Sequence, residues 1–140
     1  MTAISRRTRA RHDSLAVRTG LVLALAALAS SLTACGQTEA ERAGRTVDAY
    51  AEAALEGDAD AICRLFTPAY LGRLGGANEC VASQSVQWDR PASEVETIGI
   101  KTRGRKAYAR LLVSRAGEGP SAFALALRRL GGRWLISAQR

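Results

Sequence analysis

Three cysteines are the side chains best suited to chemistry in this chain of 140 residues. Cys35 follows an arginine-rich stretch and an apolar run, whereas Cys63 and Cys80 lie seventeen positions apart further along. A cysteine thiol serves as a nucleophile, a metal ligand, a disulfide partner or a point of covalent attachment. The only histidine, His12, precedes all three. Downstream of Cys35 the chain therefore has no imidazole for a Cys-His or Ser-His-Asp arrangement or for a histidine-ligated zinc site.

The segment before Cys35 has the order of an export signal. Residues 6–18, RRTRARHDSLAVR, are mostly positive, and residues 20–29, GLVLALAALA, form an uninterrupted apolar run that small residues follow. The sixteen residues from Thr19 to Ala34 are fewer than the ~20 that a helix needs to cross a bilayer. The pattern predicts a cleaved signal peptide over residues 1–34.

Leu32, Thr33, Ala34 and Cys35 together resemble the lipobox of bacterial lipoproteins, in which Leu, a small residue and Ala or Gly precede the cysteine. The resemblance implies cleavage after Ala34, a diacylglyceryl group on the Cys35 thiol, and anchoring at the extracytoplasmic face of the cell membrane. Two acyl chains hold a protein on a bilayer more durably than one. The alternative is an ordinary signal peptide with an incidental cysteine near its end.

Charge is unevenly placed along the chain. The formal net charge of +7 divides into +4 for residues 1–34, −6 for residues 35–100 and +9 for residues 101–140. The chain after the predicted cleavage site is therefore only about +3. Because aromatic residues are few and no recognition motif is present, we do not expect a nucleic-acid partner.

A basic stretch, KTRGRKAYAR at residues 101–110, carries Arg103, Arg105, Lys106 and Arg110. Such a cluster can bind anionic lipid head groups or an acidic wall polymer. The alternative is a solvated hairpin turn whose charges simply face water.

Helical patterns dominate residues 44–88, after a polar tether at residues 35–43. An apolar stripe with the spacing of one helix face comprises Val47, Tyr50, Ala51, Ala54 and Leu55. Gly57 is expected to end this helix, Asp58 to cap a second, and Pro68 to begin a third. A fourth helical segment is predicted up to Trp88.

The pattern changes from Glu94 onward. EVETIGIKT, KAYARLLVS, AFALALRR and RWLISAQ are short, mostly alternating stretches, and RGR, AGEGP and LGG separate them. This arrangement predicts an antiparallel meander of four strands. Helices followed by a meander indicate an α+β fold, with the helices packed on one face of the sheet.

The remaining two cysteines are expected to pair. An exported chain enters an oxidising space, so once Cys35 carries lipid, Cys63 and Cys80 are predicted to form a disulfide. Closing a loop of this size stabilises a domain by about 3 kcal/mol. A redox dithiol is the rival interpretation, but the wide spacing lacks the Cys-x-x-Cys arrangement that lowers a thiol pKa.

The stretches VDAYAEAALEGDADAICRLFTPAY (residues 47–70) and GGRWLISA (residues 131–138) resemble small extracytoplasmic lipoproteins of the nuclear-transport-factor-2-like superfamily. The resemblance covers most of residues 44–138 and places one such domain at residues 44–140. It implies helices folded against a strongly curved sheet around a conical pocket, with either a small-ligand cavity or a sheet face that forms a homodimer.

Some enzymes of that superfamily use carboxylates and tyrosines in the cone. The side chains of these types here are Asp48, Asp60, Tyr50, Tyr70 and Tyr108. Asp60 is more simply a first-turn residue near a helix N-terminus, and Tyr50 lies on the apolar stripe. Because no positioned acid–base pair is visible, we expect a noncatalytic small-ligand-binding or accessory role at the cell envelope, without cofactor or metal. The alternative is a small isomerase-like or dehydratase-like enzyme.

Overall fold

The computed structural model describes residues 37–140, so the predicted signal peptide and Cys35 lie outside the described residues. The helices are α1 (Glu39–Glu56), α2 (Ala59–Arg64), α3 (Pro68–Arg73) and α4 (Ala77–Gln87). The strands are β1 (Glu94–Arg103), β2 (Lys106–Ser114), β3 (Ser121–Leu130) and β4 (Arg133–Gln139). Helices followed by four strands confirm the predicted α+β order.

A capping box sets the N-terminus of α1. The Thr38 hydroxyl accepts a hydrogen bond from the Glu41 N–H (3.2 Å), and the Glu41 carboxylate accepts one from the Thr38 N–H (2.6 Å). The helix therefore begins at Glu39, and Ala43 is already fully buried. Residues 39–43, which the sequence pattern assigned to the tether, are helical because these two side chains satisfy N–H groups that have no partner within the helix.

One face of α1 packs into the core. Its buried residues are Ala43, Val47, Tyr50, Ala53 and Ala54. The predicted stripe was wrong at Leu55, which is 43% exposed. Successive helix positions are rotated by about 100°, so the residue after the last buried position already points away from the core.

The connections after α1 follow the predicted signals. Gly57 ends the helix in a left-handed conformation (φ 69°), and the Asp58 carboxylate accepts a hydrogen bond from the Ala61 N–H (2.9 Å) at the start of α2. A disulfide joins Cys63 of α2 to Cys80 of α4, and both residues are buried. The bond ties together two short helices that have little apolar area of their own.

The four strands form one antiparallel sheet in the order β1-β2-β3-β4. The face towards the helices buries Ala107, Ala109, Leu111, Val113, Leu125, Leu127, Trp134 and Ile136. Pairing is irregular between Thr97 and Gly99 and between Ala126 and Leu127, and such irregularities bend a sheet. The sheet is therefore curved and open, with α1 against its inner face.

The free edge of β4 is covered by the chain between α2 and α3. The Ile136 N–H donates to the Leu65 carbonyl (2.8 Å), and the Thr67 N–H donates to the Ile136 carbonyl (2.8 Å). The Thr46 hydroxyl of α1 also donates to the Trp134 carbonyl (2.9 Å). These contacts use edge groups that would otherwise be open to pairing with another chain.

Within residues 37–140, every core side chain comes from residues 43–136. The described part of the chain thus holds this core together with its disulfide. None of its helices is long and apolar enough to span a bilayer.

Candidate functional site

The interior of the domain contains a cluster of phenol, amide and indole groups, which we call the amide–phenol cluster. Its members are Tyr50 of α1, Tyr70 of α3, Gln84 of α4, Trp88 just after α4, and Gln139 at the end of β4. Three helices and the last strand therefore each contribute to one place, between α1 and the inner face of the sheet.

Hydrogen bonds connect all five side chains. The Gln139 amide nitrogen donates to the Tyr50 hydroxyl (3.0 Å), while the Gln139 amide oxygen faces the Tyr70 hydroxyl (3.5 Å). The Gln84 amide nitrogen lies 3.3 Å from that same oxygen, and the Trp88 indole N–H donates to the Gln84 amide oxygen (3.2 Å). Each of the five side chains thus has at least one hydrogen-bond partner within the cluster.

Aromatic rings occupy the space around these groups. Tyr50 stacks on Phe123 with ring centroids 5.9 Å apart, and it meets Trp88 edge-on at 6.2 Å. The Arg115 guanidinium covers the Trp88 ring at 4.8 Å from its centroid. The region where the resemblance implied a conical pocket is therefore occupied by the rings of Tyr50, Trp88 and Phe123.

Burial raises the pKa of the Tyr50 phenol well above its usual range, and the neighbouring Tyr70 acts in the same direction. The hydrogen bond from Gln139 and the charge of Arg115 oppose the effect, but burial dominates. At neutral pH the phenol therefore stays protonated and serves as a hydrogen-bonding group rather than as a base.

The structure separates the other candidate residues. Asp48 and Asp60 are both exposed, and Asp60 forms an ion pair with Arg64 one helical turn away. Tyr108 is 57% exposed on the opposite face of the sheet from the helices. Of the five acid and phenol candidates, only Tyr50 and Tyr70 come together. Within residues 37–140, no three His, Cys, Asp or Glu side chains are placed to hold a metal ion.

A groove runs along the outside of the domain between α1, α2 and β4. It consists of two adjoining depressions of about 250 and 380 Å³, which share Ala49, Leu65 and Arg133. Alanine and leucine side chains line its floor. Arg42 and Arg45 line one depression, Glu52, Glu56 and Arg64 line the other, and Arg133 lines both. The groove thus combines apolar side chains with an excess of arginines over glutamates.

The basic stretch predicted as a binding cluster is divided by the fold. Arg103, Arg105 and Lys106 surround the tight turn between β1 and β2, whereas Arg110 lies in the middle of β2. All four are exposed.

Sequence reasoning missed the two glutamines of the amide–phenol cluster. Gln84 lies four residues after Cys80 and four before Trp88, so it shares a helix face with two residues that a core would bury. A polar residue at such a position was the available signal. For Gln139 the sequence contains no comparable signal.

Comparisons with known proteins identify the fold. No protein-family model matches the sequence, and a search of curated proteins finds no match. A protein of unknown function from Shewanella baltica OS155, described as NTF2-like, superposes with a TM-score of 0.55 at 13% identity, covering 71% of this chain and 88% of that one.

Two further solved structures superpose on the same helix-and-sheet arrangement. An NTF2-like protein of unknown function from Shewanella oneidensis MR-1 has a TM-score of 0.53 at 17% identity, over 71% of this chain and 94% of that one. A de novo designed protein with a curved β-sheet has a TM-score of 0.55 at 18% identity, over 70% and 96%. The described domain therefore has the helix-and-curved-sheet fold of nuclear-transport-factor-2-like proteins.

Proposed function

We propose that the chain is a lipoprotein held at the extracytoplasmic face of a membrane through lipidated Cys35, and that its domain has a noncatalytic binding or accessory role at the cell envelope. The observation that carries the noncatalytic part is the internal pairing of the amide–phenol cluster.

The anchor is supported by the order of a positive segment, an apolar run and Leu32-Thr33-Ala34-Cys35. The fold adds a second consideration. Among the described residues, the earliest core side chain is Ala43 and the first helix begins at Glu39, so removal of residues 1–34 takes away none of the described core. A cleavage site just before Cys35 is therefore compatible with the domain.

The noncatalytic role is supported by what the interior contains. Acid–base catalysis needs a group that can gain or lose a proton near neutral pH, and the amide–phenol cluster consists of amides, an indole and phenols. Among the described residues, no buried side-chain nitrogen or oxygen lacks a hydrogen-bond partner. The cluster therefore has the properties of a structural network that fixes α1, α4 and β4 together.

The groove is the surface that we assign to small-ligand binding. Its apolar side chains and its excess of arginines over glutamates suit a small amphipathic molecule that carries negative charge. A second copy of the chain is the partner that we assign to the outer sheet face, where Tyr108 pairs across the strands with Ala126 and Ala126 with Ala138. Small side chains beside an exposed phenol allow close approach of another sheet.

Intact mass of protein purified from its native membrane tests the anchor. The expected mass lacks residues 1–34, carries a lipid-sized increment, and is lower than the reduced form by the two thiol hydrogens of the disulfide. A Cys35→Ser variant is the matched control, since it should lack the increment and keep the disulfide. A full-length, unmodified mass from the membrane fraction contradicts the anchor.

A further inference from the structure

Two hairpin turns lie side by side at one end of the sheet. The Arg129 N–H of β3 donates to the Arg105 carbonyl in the β1–β2 turn (3.0 Å), and Lys106 pairs with Arg128 across the strands. The β3–β4 turn follows directly, with Leu130 paired to Arg133. Residues far apart in sequence thus form one continuous surface.

This surface is strongly basic. We call it the basic end and define it by its six cationic residues, Arg103, Arg105, Lys106, Arg128, Arg129 and Arg133. The chain has no acidic residue between Thr97 and Gly117 or after Glu118. Within the described residues, the first turn of α1 brings Glu39 and Glu41 to this end, and both carboxylates are already engaged in the fold. An excess of positive charge therefore remains.

The start of α1 is attached to the same end. The Glu39 carboxylate accepts hydrogen bonds from the Arg129 guanidinium (3.0 Å) and from the Trp134 indole N–H (3.1 Å). Cys35 precedes Thr38 by three residues, which span at most ~11 Å of extended chain. A lipid on Cys35 would therefore hold the basic end, rather than any other part of the domain, against the bilayer.

An exposed apolar side chain projects from this surface. Leu130 is 39% exposed between Arg129 and the Gly131-Gly132 turn, where both glycines have positive φ values (54° and 79°). The tight turn leaves Leu130 at the edge of the sheet, directly after Arg129 and paired across the strands with Arg133. An apolar side chain among positive charges suits the boundary between lipid head groups and acyl chains. A dissolved polyanion has no apolar phase in which this side chain could be buried.

We infer that the basic end docks on an anionic lipid bilayer, with Leu130 entering the head-group region. The inference rests on the anchor proposed above, because the lipid on Cys35 and the basic end act as two signals on one side of the domain. Because Arg133 also lines the groove, docking places that side of the groove next to the bilayer. The β2–β3 turn lies at the far end of the sheet, where Glu118 pairs with Arg90 (2.9 Å).

Vesicle flotation of residues 37–140 tests the docking without the lipid. This segment contains the described core and its disulfide, and a cooperative thermal transition establishes folding of each sample before binding is measured. The expected result is binding to vesicles of phosphatidylcholine with phosphatidylglycerol, absence of binding to phosphatidylcholine alone, and weakening as salt is raised. Binding that ignores salt, or equal binding to both vesicles, overturns the inference.

Matched charge variants locate the surface. Each basic residue close to an anionic membrane raises binding by roughly fivefold, so the loss of two of them in R103E/K106E should lower the partition coefficient by at least about 25-fold, and repulsion of the introduced carboxylates should lower it further. R110E/R140E changes the net charge equally at exposed positions outside the two turns and should bind much more tightly than R103E/K106E. Equal losses in the two variants show an effect of net charge alone and overturn the assignment to the basic end.

Leu130→Ser distinguishes a bilayer from an acidic polymer. We expect this change to weaken vesicle binding several-fold and to leave binding to soluble poly(glycerol phosphate) unchanged. If the protein binds the polymer as tightly as it binds the vesicles, and Leu130→Ser weakens neither interaction, the inference of bilayer docking is overturned in favour of a wall polymer. Intact mass measures lipidation of Cys35 independently of vesicle binding. Failure of the proposed anchor and failure of the proposed docking surface therefore give different results.

Discussion

The Gln139 amide nitrogen lies 3.0 Å from the Tyr50 hydroxyl, although 89 residues separate the two in sequence. This contact joins the last strand to the middle of the first helix, inside a cluster that also includes Gln84 and Tyr70. It is the contact on which the stability of the amide–phenol cluster is most easily tested.

Gln139→Ala removes the donor to Tyr50 and the oxygen that faces both Tyr70 and Gln84. We expect the free energy of unfolding to fall by about 1–3 kcal/mol, because groups in a low-dielectric interior lose their partners. Urea denaturation measures the change. Gln37→Ala, at an exposed position outside the helices, is the control and should have little effect. A loss no larger than that of the control would show that the amide–phenol cluster does not hold β4 to the helices.

Tyr50 makes stability depend on alkaline pH. Its pKa is raised in the folded state above the unfolded value of about 10, so the unfolded chain loses this proton first. Stability is therefore constant with respect to this group below about pH 10 and then falls by about 1.4 kcal/mol per pH unit until the folded pKa is reached. Tyr50→Phe should remove this decline in urea titrations across alkaline pH. Tyr108→Phe, at an exposed phenol, should leave it in place.

The disulfide between Cys63 and Cys80 is expected to contribute about 3 kcal/mol to the free energy of unfolding. It closes a loop between two short helices and restricts the unfolded chain more than the folded one. The C63A/C80A variant should unfold at correspondingly lower urea concentration and be insensitive to reductant, whereas the parent should shift when reduced. A parent whose midpoint ignores reductant would argue against a stabilising role for the bond.

We predict that two copies of the chain associate through their outer sheet faces. Tyr108 is more than half exposed and lies beside Ala126 in the sheet, so a second copy could bury it. Sedimentation equilibrium of the parent should show a dimer, and Tyr108→Ala should shift the protein to monomer because it removes the ring that a second copy would bury. Tyr108→Phe, which keeps the ring, should remain dimeric. A parent that stays monomeric at high concentration contradicts this partner.

Local patterns in the sequence determined the elements of this domain. Alternation through Ala107, Ala109, Leu111 and Val113 marks which face of β2 is buried, since side chains alternate across a strand. Asp58 and Pro68 mark helix starts because the carboxylate of Asp58 caps an N–H one turn away and the fixed φ of Pro68 suits a first helical turn. The four-strand meander and the disulfide follow from patterns that need no knowledge of distant residues.

Local patterns were weaker where the boundary between surface and core depended on packing. Leu55 has the spacing of the apolar stripe, yet it is exposed because the sheet covers a narrower face of α1 than the sequence suggested. The start of α1 at Glu39 was hidden for a different reason. The polar residues of the apparent tether form the capping box themselves.

Only the tertiary structure decided what occupies the interior and where the charge gathers. Gln84 and Gln139 meet because the disulfide joins α4 to α2 while the segment after α2 bonds to the edge of β4, and nothing in either local sequence specifies the other. The basic end arises in the same way, since the antiparallel register sets Arg105 beside Arg129, and Glu39 joins the start of α1 to them. Hydrogen-bond partners and surface fields depend on distances across the fold, and chain folding sets those distances through long-range packing rather than through local preference.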